Sequence, residues 1–152
     1  MTGLDVDERK VQRGQAAAAG RYEQMHFAAQ DARDELPAFH GNVALFDVLH
    51  YIEPAGQEAL LPQLAARVAP GGMLLLRDSP RDGSARYRAT YLGEVFAQAI
   101  SWNVGVPLHF PARAAIVGAF SAREFTIEEK PMWGGGPFNN RLYIFRRLCD
   151  GR

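Results

Sequence analysis

Two short apolar runs, separated by a helix-length segment, limit the folds open to this chain. The runs are Val43–Phe46 and Met73–Leu76, and each is apolar at successive positions, as strands buried on both faces of a parallel sheet are. The segment Glu53–Val68 between them has leucines at helical spacing, and its Pro62 indicates a kink or a late start. Strand, helix and strand in this order predict a right-handed parallel crossover, and therefore an α/β fold.

The segments on either side of this crossover extend the α/β pattern. Residues Thr2–Val6 predict the end of a strand, Asp7 a helix N-cap and Gly20 the end of that helix. The remaining predicted elements are a strand at Met25–Ala29, an amphipathic helix through Tyr91–Ile100, a helix at Ala112–Phe120, and two strands at Phe125–Met132 and Arg141–Leu148. A glycine-rich turn joins the last two strands, which predicts an antiparallel pair at one sheet edge.

Length and charge exclude several classes of protein. A chain of 152 residues is about one domain, and its 17 basic residues balance its 17 acidic ones, so no net field attracts nucleic acid or an anionic membrane. The only cysteine is Cys149, which excludes internal disulfides, and the histidines lack zinc spacing. We expect a cytoplasmic protein with no signal peptide, membrane span, metal or nucleic-acid partner, with one domain over residues 1–148 and a tail at 149–152.

Two carboxylates follow the first two predicted strands. An acidic residue at the end of a strand can accept hydrogen bonds from ribose hydroxyls, and Asp5 is placed in this way. Asp31 could accept from an exocyclic adenine amine, while Ala32 offers its backbone N–H. Taken alone, Asp5 and Asp7 favour simple helix capping, and Asp31 favours a solvated loop carboxylate.

The run Asp47–Tyr51 directly follows the apolar strand 43–46. The carboxyl ends of parallel strands form the ligand crevice of an open α/β sheet, so His50 could act there as a general base. A histidine bonded to the backbone at a helix start is an equal alternative. Six aromatic residues could line an apolar substrate pocket, although at helical spacing most belong more often to a core: Tyr87, Tyr91, Phe96, Trp102, Phe110 and Phe138.

The order of these segments resembles class I S-adenosylmethionine (SAM)-dependent methyltransferases. Residues Leu64–Asp78 resemble the helix–Pro-Gly-Gly–strand of that family, and FDVLHYI resembles the segment after its fourth strand. The likeness covers nearly the whole chain, in the segments GLDVDERKVQRGQ (3–15), AAQDARDELP (28–37), VALFDVLHYI (43–52), LPQLAARVAPGGMLLLRD (61–78) and REFTIEEKPM…NNRLYIFRRL (123–148).

The resemblance implies a fold, a cofactor and a set of site residues. The fold would be a doubly wound, mostly parallel, Rossmann-like seven-stranded sheet that ends in an antiparallel strand pair. SAM would bind at the carboxyl ends of the first strands, and its methyl group would pass to a small-molecule acceptor. The cofactor-binding residues would be Asp5 (ribose hydroxyls) and Val6, Asp31 and Ala32 (adenine), and Asp47 (the methionine part), with His50 and Tyr51 as the catalytic residues nearest the methyl group.

One departure from the family is large. The family's first strand and its glycine-rich turn should precede Gly3, so we expect an N-terminally truncated sheet and poor SAM affinity in this chain. The strand 43–46 would lose a neighbour, which predicts a homodimer through the gap or a move of strand 2–6 into it. A catalytically inactive, methyltransferase-like interaction or regulatory protein is the alternative. A dehydrogenase is disfavoured because no G-x-G-x-x-G fingerprint is present.

Overall fold

The computed structural model describes residues 1–100 and 107–149. The chain divides into two compact units, Met1–Ala38 and Phe39–Arg152, each of which is described by itself below. The single domain over 1–148 stays a prediction.

The first unit is a strand–helix–strand crossover. Strands β1 (Thr2–Asp5) and β2 (His26–Ala29) pair in parallel, with Asp5 opposite Ala29, and helix α1 (Glu8–Ala18) joins them. Asp7 is the N-cap of α1, as predicted: its carboxylate accepts a hydrogen bond of 2.9 Å from the Arg9 backbone N–H.

One aromatic ring fits closely between the elements of the first unit. The ring of Phe27, on β2, lies so near Gly3 of β1 that a Cβ atom there would approach it to 2.8 Å. A Cβ atom on Gly14 of α1 would approach the same ring to 3.0 Å. The two glycines therefore allow the strands and the helix to pack around this side chain.

The second unit holds a four-stranded mixed sheet in the order β3-β4-β6-β5. Strands β3 and β4 pair in parallel, while β6 is antiparallel to both β4 and β5, so the predicted crossover and terminal pair are confirmed. In chain order the elements are β3 (Val43–Phe46), a 3₁₀ turn (Leu49–Tyr51), α2 (Pro54–Arg67), β4 (Met73–Asp78), α3 (Ala85–Ile100), α4 (Arg113–Gly118), β5 (Phe125–Pro131) and β6 (Arg141–Arg147).

The core of the second unit lies on one face of this sheet. Leu45 is opposite Leu76 in the β3–β4 ladder, and Tyr143 is opposite Leu76 in the β4–β6 ladder, so the three buried side chains share a face. Phe120, just beyond α4, stacks on Phe145 with the ring centroids 3.7 Å apart. Helix α2 adds its own buried leucines: Leu60, Leu61 and Leu64.

Three observations differ from the sequence-based expectations or refine them. Helix α2 begins at Pro54 and contains Pro62, so the predicted alternative of a late start is wrong. Strand β4 extends to Asp78, two residues beyond the predicted end at Leu76, which places a carboxylate on the core face of the strand. Among the described residues, two of the four strand pairings are antiparallel, and both lie in the second unit. The fold is therefore α/β with a mixed sheet in that unit, while the seven-stranded doubly wound arrangement and the truncation stay predictions.

Candidate functional site

A buried histidine–carboxylate pair lies where β3 and β4 end. His50 belongs to the 3₁₀ turn after β3, and Asp78 is the last residue of β4, the parallel neighbour of β3. The His50 Nδ1 and Asp78 Oδ1 atoms are 3.0 Å apart, and both side chains are buried. The parallel register therefore brings together two residues that are 28 positions apart in the sequence.

The hydrogen bonds around this pair leave His50 Nε2 without a partner among the described residues. The Ser79 backbone N–H also donates to Asp78 Oδ1, at 2.8 Å, which fixes the carboxylate. Among the described residues, His50 Nε2 and Asp78 Oδ2 have no hydrogen-bond partner although both atoms are buried. A carboxylate at Nδ1 favours the tautomer with its proton on Nδ1, so Nε2 carries the free lone pair.

Aromatic rings enclose the imidazole of His50. Phe110 stacks on it with the ring centroids 5.1 Å apart, and Tyr51 lies against it at 4.1 Å. The Tyr51 hydroxyl donates a hydrogen bond of 3.0 Å to Glu94 on α3. Tyr87 and Tyr91 of α3 contact Phe110 in turn. The result is an apolar wall around a polar pair.

The surroundings of His50 raise the pKa of its imidazole. Burial alone would lower this pKa, but the hydrogen bond and the charge of Asp78, aided by the charges of Glu94 and Asp47, outweigh burial and raise it above the ordinary value of 6.5. A raised pKa means that the imidazole binds a proton more tightly than an ordinary histidine does, so it is the stronger base. Geometry and pKa together make His50 a candidate general base.

The residue directly after β3 has an uncommon backbone. Asp47 has a φ of 56°, in the left-handed region that few residues other than glycine adopt. Its carboxylate forms a two-pronged ion pair with Arg77 of β4, and the Arg77 guanidinium lies 5.5 Å from the centre of the Phe46 ring. This pairing holds the carboxylate of Asp47 against the end of the sheet.

The predicted cofactor residues of the first unit follow its two parallel strands. Asp5 ends β1, with the exposed Val6 after it, and Asp31 and Ala32 follow β2, so all four lie at the carboxyl end of the strand pair. Asp5 accepts a hydrogen bond of 2.9 Å from the Asp7 backbone N–H. The hydrogen bonds and charge of Arg33 lower the pKa of Asp31, so its carboxylate stays ionised but is already paired.

The structure thus collects the predicted residues into two groups, one in each unit. The group of the second unit comprises Asp47, His50 and Tyr51, and the structure adds to it Asp78 and Glu94, neither of which was predicted as a site residue. Asp78 could have been found from the sequence, since it follows the apolar run 73–76 as Asp47 follows the run 43–46. Of the six predicted aromatics, Tyr87, Tyr91 and Phe110 join the cluster, Phe96 and Phe138 are exposed, and Trp102 lies outside the described residues.

Solved structures share this fold. The N-methyltransferase NodS from Bradyrhizobium japonicum, crystallised with S-adenosylhomocysteine (SAH), matches 96% of this chain and 65% of its own length, with a TM-score of 0.66 and 19% identity. The fold is that of a SAM-dependent methyltransferase. A magnesium protoporphyrin IX methyltransferase from Synechocystis, also with bound SAH, matches 96% of this chain and 63% of its own, at a TM-score of 0.67 and 18% identity.

A third match covers less of its own protein. An O-methyltransferase family protein from Burkholderia thailandensis matches 99% of this chain but 44% of its own length, with a TM-score of 0.72 and 19% identity. This chain therefore spans about two thirds of NodS and less than half of the Burkholderia protein. No protein-family model matches the sequence, and no curated protein matches it significantly.

Two kinds of feature are absent from the described residues. No helix within 1–100 or 107–149 is long and apolar enough to cross a membrane. In the same part of the chain, no three histidine, cysteine, aspartate or glutamate side chains lie together as metal ligands would.

Proposed function

We propose that this chain is a methyltransferase that uses SAM to methylate a small-molecule acceptor carrying a weakly acidic hydroxyl or similar group. One observation carries the proposal: the buried His50–Asp78 pair, with Nε2 unpartnered among the described residues, ends two parallel strands of a methyltransferase fold. A general base at this edge of the sheet is needed only when the acceptor holds a proton of high pKa. The pair therefore favours a hydroxyl over an amine, whose free base already has an attacking lone pair.

Residues of both units fit the cofactor in their chemistry. Carboxylates accept hydrogen bonds from hydroxyls and amines, so Asp5 with Val6 would hold the ribose, and Asp31 with the Ala32 backbone N–H would hold the adenine. Asp47 would lie near the methionine part of the cofactor. When bound, SAM supplies a methyl group made electrophilic by its sulfonium sulfur. Arg33 already pairs with Asp31, so adenine binding there would share or displace that ion pair.

The chain's own residues would hold the acceptor and move one proton. The aromatic wall of Tyr51 and Phe110 would orient an apolar acceptor, and holding it in line with the methyl group can supply much of the rate. His50 Nε2 would accept the acceptor's proton as its oxygen attacks. Asp78 would keep Nδ1 protonated and stabilise the imidazolium that forms.

The test replaces His50 and measures binding and turnover separately. SAM carrying a deuterated methyl group is incubated with a panel of phenols, alcohols and amines, and labelled products are detected by mass spectrometry. We expect His50→Ala to abolish labelling while SAH binding, followed by NMR, is unchanged. His26→Ala is the control, because His26 is an exposed residue of β2. Unchanged turnover in His50→Ala would remove His50 from the reaction, and an absence of labelling with any acceptor would count against methyl transfer.

We also propose that two copies of the chain pair through the outer edge of β3. In the described residues β3 pairs with β4 alone, and its Ala44 and Phe46 are exposed, the latter at 47%. Such an edge offers unpaired N–H and C=O groups to another strand. Light scattering should show a dimer that Phe46→Lys converts to a monomer, and a monomeric unaltered protein would exclude this pairing.

The comparisons do not favour the alternative of an inactive interaction protein.

A further inference from the structure

A buried glutamine ties together the two backbone segments that hold His50. Gln57 lies in the first turn of α2, and 6% of its surface is exposed. Its side-chain Nε2 donates to the backbone carbonyls of Leu49, Ile52 and His109, at 2.9, 2.8 and 2.6 Å. Two N–H groups thus serve three carbonyls from two distant parts of the chain.

Each of these carbonyls lies next in the chain to His50 or to a residue whose ring packs against it. Leu49 and Ile52 flank the segment that carries His50 and Tyr51. His109 directly precedes Phe110, whose ring stacks on the imidazole, and its own backbone N–H donates to the His50 carbonyl at 2.7 Å. Gln57 therefore bonds the backbone of both segments that hold the imidazole.

We propose that Gln57 is a positioning residue: its amide holds the turn at 49–52 and the segment at 109–110 together, so that His50 Nδ1 reaches Asp78 and Phe110 covers the imidazole. What His50 does in catalysis rests on the proposed function, but this geometry does not. The chemistry of the side chain supports the assignment. A neutral amide can place two donors among carbonyl oxygens, whereas a carboxylate of the same length would repel all three.

The experiment compares the same substitution at two positions of one helix. Gln57→Met keeps the length and volume of the side chain but removes its donors. Gln63→Met is the matched control, because Gln63 also lies on α2 and bonds a carbonyl, that of Ala59, but is exposed. The His50 imidazole is titrated by NMR in the full chain, with the exposed His26 and His40 as internal references.

The titration reports the contact with Asp78 directly. The groups that face His50 are Asp78, Glu94 and Asp47, which favour its charged form, and the neutral rings of Tyr51 and Phe110. If Gln57 positions the imidazole, the pKa of His50 falls in Gln57→Met, because burial then outweighs the weakened bond to Asp78. It stays at the wild-type value in Gln63→Met. Equal pKa values in the wild type and a folded Gln57→Met protein would overturn the proposal.

A second measurement needs no variant and covers the case in which Gln57→Met does not fold. In the unaltered protein, the Gln57 side-chain amide should show scalar couplings across hydrogen bonds to the carbonyl carbons of at least two of its three partners. An amide that lacks them and exchanges freely with solvent would contradict the assignment.

Turnover measurements then distinguish a failure of this proposal from a failure of the proposed function. Where a labelled acceptor has been found, turnover should fall about 10- to 100-fold in Gln57→Met with SAH affinity unchanged. If the His50 pKa moves but no methyl transfer is found in any variant, Gln57 still positions the pair and only the proposed function fails.

Discussion

At the scale of single residues, the protein buries the His50–Asp78 pair, and burying polar groups costs free energy of folding. Asp78 is fully buried and His50 nearly so, and one polar atom of each has no partner among the described residues. A buried polar group without a partner costs about 1–3 kcal/mol. Buried residues with a perturbed pKa, such as His50, cluster at functional sites.

The raised pKa of His50 predicts how stability depends on pH. The folded protein binds the His50 proton more tightly than the unfolded chain, whose histidine has a pKa near 6.5. This contribution to the free energy of unfolding is therefore complete below the unfolded pKa and is lost as the pH rises through the folded one. Urea unfolding between about pH 5.5 and 8.5 should show this loss in the wild type. In His50→Asn the free energy of unfolding should decline less over this pH range. An identical decline in the two proteins would contradict the role given to His50.

Asp78 should matter for turnover more than for cofactor binding. Asp78→Asn keeps the shape of the side chain but removes the charge that stabilises imidazolium, so we expect turnover to fall about 100-fold or more. SAH affinity, measured by NMR titration, should be unchanged. Asp34→Asn, the same change at an exposed residue, serves as the control and should leave both unaffected. Equal losses of turnover in the two variants would remove Asp78 from the site.

At the scale of elements, hydrophobic periodicity predicted most of the fold. Strand β3 has the predicted bounds, and the β3–α2–β4 crossover and the terminal antiparallel pair are present. The site was less predictable, because the bond between His50 and Asp78 depends on the register of two strands, which no local pattern contains. Gln57 gave no signal either, since a polar residue in a helix is usually exposed.

The close packing of Phe27 gives a prediction for the first unit. A methyl group on Gly3 would approach the Phe27 ring to 2.8 Å, so Gly3→Ala should destabilise the unit by about 1–3 kcal/mol through overpacking. Urea unfolding followed by circular dichroism measures the effect, and Phe27→Leu in the same chain should restore part of it. Gly41→Ala is the control, because a Cβ atom at Gly41 has no neighbour within 4 Å among the described residues. Equal changes in stability for Gly3→Ala and Gly41→Ala would show that the Phe27 ring moves aside without cost.

At the scale of the whole molecule, the fold is shared with methyltransferases and the chemistry is inferred from the site. The three structures compared above are 18–19% identical to this chain, so they show the fold alone, while substrate and activity depend on the residues present here. The predicted cofactor residues occur in two groups, at the carboxyl ends of β1 and β2 and at that of β3. For the proposed function to hold, SAH must bind at the residues of each group.

An NMR titration of the full chain with SAH tests that requirement most directly, and it works even for weak affinity. We predict saturable shifts of the backbone amides at Asp5–Val6, Asp31–Ala32 and Asp47–His50. Asp5→Ala should weaken the response at Asp5–Val6. The absence of a saturable shift in either group would contradict the proposed cofactor site.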